Sequence, residues 1–283
     1  MILQFQQLLI ILLFLTSCDT GKLTVIADLP INLKEISAAE TLPNSDLIWV
    51  IEDKGNKNNI YGINTRGKII KDIDVSNASN IDWEDLTSDE KGNIYIGDFG
   101  NNLSKRKNLT ILKIEEKDLK KKNAEAIRIE FTYENQHKFP PKKKGLYFDA
   151  EAFFYFKGYM YIFTKSRVHN KYGKTFLYKL PAKKGKHIAK LIGEFENCND
   201  LECWITSADI SADGRKVALL SQKNILIFSD YKEDNFLSGN VKKIELEHRT
   251  QKEGLCFKDN YTLLITDEKA HGVGGNLYEL KVN

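Results

Sequence analysis

Apolar residues recur along this chain in short period-two runs, separated by turns rich in Gly, Asn and Asp, as at residues 89–93 and Asp213-Gly214. This pattern predicts β-strands joined by tight connections. The runs follow one order, repeated five times. Each unit opens on an acidic, small and apolar cluster: Ala39-Glu40-Thr41-Leu42, Trp83-Glu84-Asp85-Leu86, Ala150-Glu151-Ala152-Phe153, Ser207-Ala208-Asp209-Ile210 and Lys252-Glu253-Gly254-Leu255. A strand ending in polar residues follows at 49–53, 95–98, 161–165, 218–222 and 263–267. A third strand is expected at 60–63, 109–114, 176–180, 225–228 and 277–280. Four units continue into a fourth, at 68–75, 126–133, 189–195 and 241–247. The fifth has no room for one before residue 283, and the run 23–27 supplies it instead.

Four-stranded units repeated in this way suit an all-β fold, a β-propeller of five blades closed by an N-terminal strand, which leaves no exposed edge at the join. The longest interval lies between the second and third clusters. It holds the charged run 115–122, which predicts a helical excursion, and residues 138–145 with Pro140-Pro141. A sixth, degenerate blade there is the alternative.

The first residues follow another logic. An unbroken apolar run at 8–15 leads into Leu15-Thr16-Ser17-Cys18 and then polar Asp19-Thr20. That run is the length of a secretory signal core and too short to span a membrane. The tetrapeptide resembles the lipobox of bacterial lipoproteins, although no Lys or Arg precedes the apolar run. The resemblance implies a signal peptide over 1–17, lipidation at Cys18, a short tether over 18–21 and one propeller domain over 22–283. It places the protein in the bacterial cell envelope, at the outer membrane or periplasmic face, with a lipid as its membrane partner; two acyl chains make such anchoring stable. Cys198 and Cys203 flank a polar loop and are expected to form a disulfide in an oxidising compartment. A zinc site would need two further ligands nearby. Cys256 sits in an apolar run and reads as a buried thiol.

Composition narrows the function. The 42 Lys and Arg are interspersed with 39 Asp and Glu, for a net charge of +3, which is no nucleic-acid footprint. Aromatic residues at 11% and only 5 prolines argue against disorder. No HExxH, G-x-S-x-G or phosphate-loop motif occurs. His137, His169, His187, His248 and His271 match no metal spacing, and 272–275 reads as a hairpin between strands. The lysine runs 120–122, 142–144 and 183–184 read as solvated loops, with contact to an anionic membrane the alternative.

Lys252-Glu253-Gly254-Leu255 followed by Leu264-Ile265-Thr266-Asp267-Glu268, and Asp82-Trp83-Glu84-Asp85-Leu86 followed by residues 94–102, resemble the SdiA-regulated family of five-bladed propellers. They are more distantly similar to NHL-repeat and phytase-like propellers. The resemblance spans the mature chain and implies a calcium ion at a central site. No enzymatic activity follows from it, and a monomer is expected.

Innermost strands line a propeller's channel, so Glu40, Glu84, Glu151 and Glu253 are expected to meet near one mouth; the fourth unit departs with Ala208. Carboxylates brought together repel, and a cation, raised pKa values or intruding basic groups must answer the repulsion. Calcium suits such a ring because it accepts several oxygens in flexible geometry. Asp82 and Asp149 could add ligands. Alternatively each Glu bonds the neighbouring blade's backbone and locks the packing. A second polar set, Glu52, Asp53, Asp98, Asn101, Asn102, Thr164, Lys165, Arg167, Gln222, Asp267 and Glu268, caps the strands. From it Asp98, Lys165, Arg167, Asp267 and Glu268 are the ligand-binding candidates. Residues 98–102 read equally as a tight turn, and Lys165 and Arg167 as charge balance. The function expected is a lipid-anchored module binding a small molecule, glycan or protein, with no catalytic residue assigned. The alternative is a metal-dependent hydrolase of the phytase or lactonase kind using the same carboxylates.

Overall fold

A computed structural model of the chain describes residues 20–43, 45–270 and 272–282, so Cys18 and the signal segment lie outside the described residues. Strand β1 (Thr24–Asp28) precedes a first unit of β2 (Ile36–Thr41), β3 (Ile48–Glu52), β4 (Asn59–Ile63) and β5 (Ile69–Val75). The second unit comprises β6 (Trp83–Ser88), β7 (Ile94–Asp98), β8 (Leu109–Ile114), the two-residue β9 (Asn123–Ala124) and β10 (Ile127–Tyr133). The third is β11 (Asp149–Phe156), β12 (Tyr159–Lys165), β13 (Lys174–Pro181) and β14 (Gly185–Glu196). The fourth is β15 (Ser207–Ile210), β16 (Lys216–Leu220), β17 (Asn224–Ser229) and β18 (Asn240–Glu245). The last runs β19 (Lys252–Asp259), β20 (Thr262–Asp267) and β21 (Asn276–Lys281). β1 completes it, pairing antiparallel with β21 so that Thr24 faces Glu279. The charged run at 115–122 forms only a 3-10 turn at Glu116–Asp118, and 138–145 contains no strand.

Within each unit the strands meander antiparallel in chain order, β9 excepted. Two parallel pairings tie units together at their rims. β10 pairs with β14, with Ile129 opposite Gly185, which fuses units two and three into one eight-stranded sheet. β9 pairs with β5, hooking the second unit's crossover onto the first.

Both faces of each sheet are covered, so alternation sends neighbouring residues into different seams. Trp49, Ile51, Trp83 and Ile96 join units one and two, while Tyr95, Phe99, Phe153 and Ile162 join two and three. Phe154, Phe163, Leu219 and Phe228 join three and four, and Leu220, Ile227, Leu255 and Ile265 join four and five. Cys256 and Leu264 pack on Ala39 and Val50, closing the ring from unit five back to unit one. Trp83 and Phe153 are fully buried, and truncating either to Ala would cost about 3–5 kcal/mol. Cys198 and Cys203 are bonded, with Cα atoms 5.7 Å apart, and Cys256 is a buried free thiol.

Candidate functional site

Four of the five innermost strands carry one extra residue near their start. In β2, Ile36 faces Glu52 and Ala38 faces Ile51, leaving Ser37 without a partner across the ladder. The same shift sets apart Glu84 in β6, Glu151 in β11 and Glu253 in β19. A bulged residue escapes the strict alternation of the strand and is re-aimed. Here Ser37, Glu84, Glu151 and Glu253 line one cavity of about 320 Å3 at a mouth of the ring. β15 has no such shift, and Thr206 precedes its first paired residue. Residues at or after the ends of β3, β7, β12 and β20 add Asp53, Lys54, Asn102, Lys165, Arg167 and Glu268, and Glu35 and Gln251 complete the wall.

Glu40 is not part of this chamber. The ladder makes Ser37 the first unit's counterpart of Glu84, and Glu40 lies three residues further along, opposite Trp49. It lines a different cavity, of about 420 Å3, formed with Asp209 and Phe257 at the other ends of the inner strands. There it accepts the Thr41 N–H at 2.6 Å. By the same register the fourth unit's counterpart is Thr206 rather than Ala208, and its hydroxyl donates to the Lys252 carbonyl at 2.8 Å.

The bond to the next unit expected of the glutamates is made by other side chains. Asp85, with no exposed surface, accepts the Phe153 N–H at 3.0 Å, the Ser207 hydroxyl at 3.0 Å and the Ala208 N–H at 3.4 Å, joining units two, three and four. Asp209 accepts the Phe257 N–H at 2.7 Å, and the Thr87 hydroxyl accepts the Tyr155 N–H at 3.0 Å. Two of the ligand-binding candidates are also internal. Asp98 is held by Arg106 Nη2 at 2.9 Å and the Asp82 N–H at 3.2 Å. Asp267 accepts from the Asn276 N–H at 2.8 Å and the Tyr278 hydroxyl at 2.7 Å.

In the chamber, charges divide into a paired side and an unpaired side. Lys165 Nζ meets Glu151 Oε2 at 2.8 Å, while Arg167 bonds Asp149 Oδ2 at 2.6 Å, Glu151 Oε1 at 3.0 Å and the Asn102 side chain. Trp204 covers both cations, its ring 4.7 Å from the Arg167 guanidinium and 5.2 Å from Lys165 Nζ. Burial works to raise the Glu151 carboxyl, yet Lys165 and then Arg167 outweigh it and hold it below its ordinary range. Across the cavity, Glu84 is only 7% exposed, and among the described residues no hydrogen bond or ion pair reaches its carboxylate. Burial, then the charges of Glu151 and Asp53, push its pKa well up. Burial also raises Glu253 to about 8 and Glu268 to about 7.

Carboxylate oxygens of Asp53, Asp82 and Glu84 lie within 4.8 Å of one another. Lys54 Nζ donates to Asp82 Oδ1 at 2.8 Å from the solvent side. Gly100 lets the backbone come close, since a Cβ there would stand 2.0 Å from Glu84 Oε1 and 2.4 Å from Asp82 Cγ. The three acids therefore form an oxygen-only donor set from two units, suited to a hard cation. Sequence reasoning offered Asp82 as an added ligand beside Glu84 but placed Asp53 in the second polar set and did not bring it to them. It passed over Glu35, Ser37, Lys54 and Trp204; a charged residue directly after the polar strand end, as also at Lys223 and Glu268, was the signal available for Lys54.

No protein-family model and no curated protein matches the sequence. Solved structures do. A gluconolactonase from Xanthomonas campestris aligns with a TM-score of 0.53 at 10% identity, over 94% of this chain and 92% of its own. The PQQ-bound aldose sugar dehydrogenase of Streptomyces coelicolor aligns at 0.54 and 8% identity, over 93% and 98%. Both are propellers. The fold is a β-propeller. At such identities the likeness carries the fold alone, so the propeller's chemistry has to be argued from its own chamber.

Proposed function

We propose that this chain is a lipid-anchored, five-bladed propeller of the bacterial cell envelope, of the SdiA-regulated kind, that binds a ligand at a cation held in its chamber. The observation that carries this reading is Glu84, more than nine-tenths buried, without a donor, beside Asp53 and Asp82. An unpaired buried carboxylate is costly, and a bound cation removes that cost. Calcium fits, because the donors are all oxygens in an arrangement that tolerates irregular coordination. Asp53, Asp82 and Glu84 would hold it; once bound, it supplies a positive centre for a ligand oxygen. Lys165 and Arg167 keep Glu151 and Asp149 occupied, so the third unit's acids wall the site and leave the cation to the first and second. Thermal unfolding of the mature chain tests this. At a hundredfold excess over Kd, calcium should add about 2.7 kcal/mol, or roughly 5–10 °C in Tm relative to chelator. Glu84→Gln should abolish the gain. An unchanged Tm in the parent protein would overturn the reading.

A second reading, metal-dependent hydrolysis, is favoured by Glu253 and Glu268, whose raised pKa values let them exchange a proton near neutrality in the same cavity. One structural neighbour is named a gluconolactonase. Calcium-dependent turnover of a lactone or phosphate ester, lost in Glu253→Gln, is its expected sign; no turnover across such a panel rejects it and leaves the binding reading standing.

A further inference from the structure

Beside the chamber lies a second cavity of about 270 Å3, and Gln251 and Glu268 line both, so the two spaces adjoin along a shared wall. Gln222, Arg249, Thr250 and Val273 form the rest of its working wall, over the junction of units four and five. Beneath them sits Lys252, whose side chain has no exposed surface. Its ammonium donates to the His248 carbonyl at 2.5 Å, the Thr250 hydroxyl at 3.1 Å and the Gln222 carbonyl at 3.4 Å. Those three acceptors come from the β16–β17 turn and from the connector between units four and five. One ammonium has three donors, and all three are used to fix this wall. Burying it costs free energy, enough to bring its pKa down to about 8 despite Asp267 and Glu202. The wall is therefore pre-organised, as a binding surface requires.

The lining identifies the ligand class. Two side-chain amides and a hydroxyl offer both donors and acceptors. Of the charged lining, Arg249 stands 4.0 Å from Glu202 and stays largely exposed, and Glu268 is shared with the chamber, so one cation among acids makes no anion-selective set. No aromatic ring lines the cavity to stack a planar base, whereas Ala270 and Val273 offer a small apolar face. Neutral hydroxyls with C–H faces match this set. We propose that chamber and groove form one elongated site for an oligosaccharide, one end meeting the chamber cation and the body lying along Gln222, Thr250 and Arg249. This rests on the reading of the chamber as a cation site.

The test is an oligosaccharide array, from mono- to hexasaccharides of several linkages, probed with the mature protein in calcium. Retention should rise about tenfold from mono- to trisaccharide within a bound series, and Gln222→Ala or Arg249→Ala should each remove about tenfold of it. Both variants should keep the full calcium shift in Tm. If that shift persists but no oligosaccharide is retained, or retention ignores chain length and both substitutions, the groove proposal falls alone. If the parent shows no calcium shift, the chamber reading has failed first.

Discussion

The propeller's innermost strands carry two populations of buried acid, interleaved along the same few residues. Asp85 and Asp209 spend their oxygens on the backbone of the next unit, and Glu40 accepts at its own strand end. Glu84 and Glu253, with Glu268 just after β20, face the chamber, and among the described residues no hydrogen-bond donor reaches their carboxylates. Adjacent residues Glu84 and Asp85 are both buried, yet one is a latch and the other an open ligand position. Burial does not separate the two roles; what each carboxylate accepts does. A latch accepts N–H groups that the inner edge of a sheet would otherwise leave unpaired, and these work against a desolvation that still raises the Asp85 pKa and brings that of Asp209 to about 7. The chamber acids have no such donors, which is why a cation is the natural occupant.

Removing a latch should do the most damage. Asp85→Ala strands donors from three units at once and is expected to cost about 3–5 kcal/mol, lowering Tm by roughly 10 °C whether or not calcium is present. A change within about 1 kcal/mol would place Asp85 outside the structural set. Glu84→Gln should behave oppositely in chelator, leaving stability within about 1 kcal/mol of the parent or above it, because the neutral amide relieves repulsion from Glu151 and Asp53. A large loss there would make Glu84 a latch too. The mildest effect concerns pH. Glu253 and Glu268 titrate in the fold near 8 and 7, above their ordinary carboxyl range, so the folded chain binds protons that the unfolded chain has released. Their contribution is complete below the ordinary carboxyl pKa and lost as pH rises through 7 to 8. In chelator, Tm should fall over that interval, and Glu253→Gln should flatten the upper part of the fall. A Tm that climbs with pH across it would contradict the assignment.

The inner strands were legible as apolar runs lying between two seams, and outer strands such as β5 and β10 through the alternation of buried and open positions. Completion of the last unit by β1 was legible too, since the fifth repeat lacks a fourth strand. The bulges were not. A one-residue insertion leaves no mark in hydrophobicity, so aligning acidic clusters selected Glu40 where the ladder selects Ser37, and Ala208 where it selects Thr206. Asp98 and Asp267 end their strands as the rim residues do, but Arg106 and Tyr278, distant in pattern, turn them inward. Lys252 read as one more charge at the head of a repeat. Its role depends on three acceptors that only the closed ring brings together.

The two parallel rim pairings give the ring unequal compliance. Units one, two and three are stitched at the periphery by β5 with β9 and by β10 with β14, as well as packed at the axis. Splaying any of those three apart means breaking backbone ladders, whereas among the described residues no strand pairing joins three to four. Asp53, Asp82, Glu84, Lys165 and Arg167 all belong to the stitched arc, while Glu253, Glu268 and the groove belong to the other. The chamber's cation ligands thus stand on the arc held by backbone ladders, and its opposite wall on the arc held by side-chain seams and single hydrogen bonds, such as Lys269 N–H to the Lys34 carbonyl at 2.8 Å.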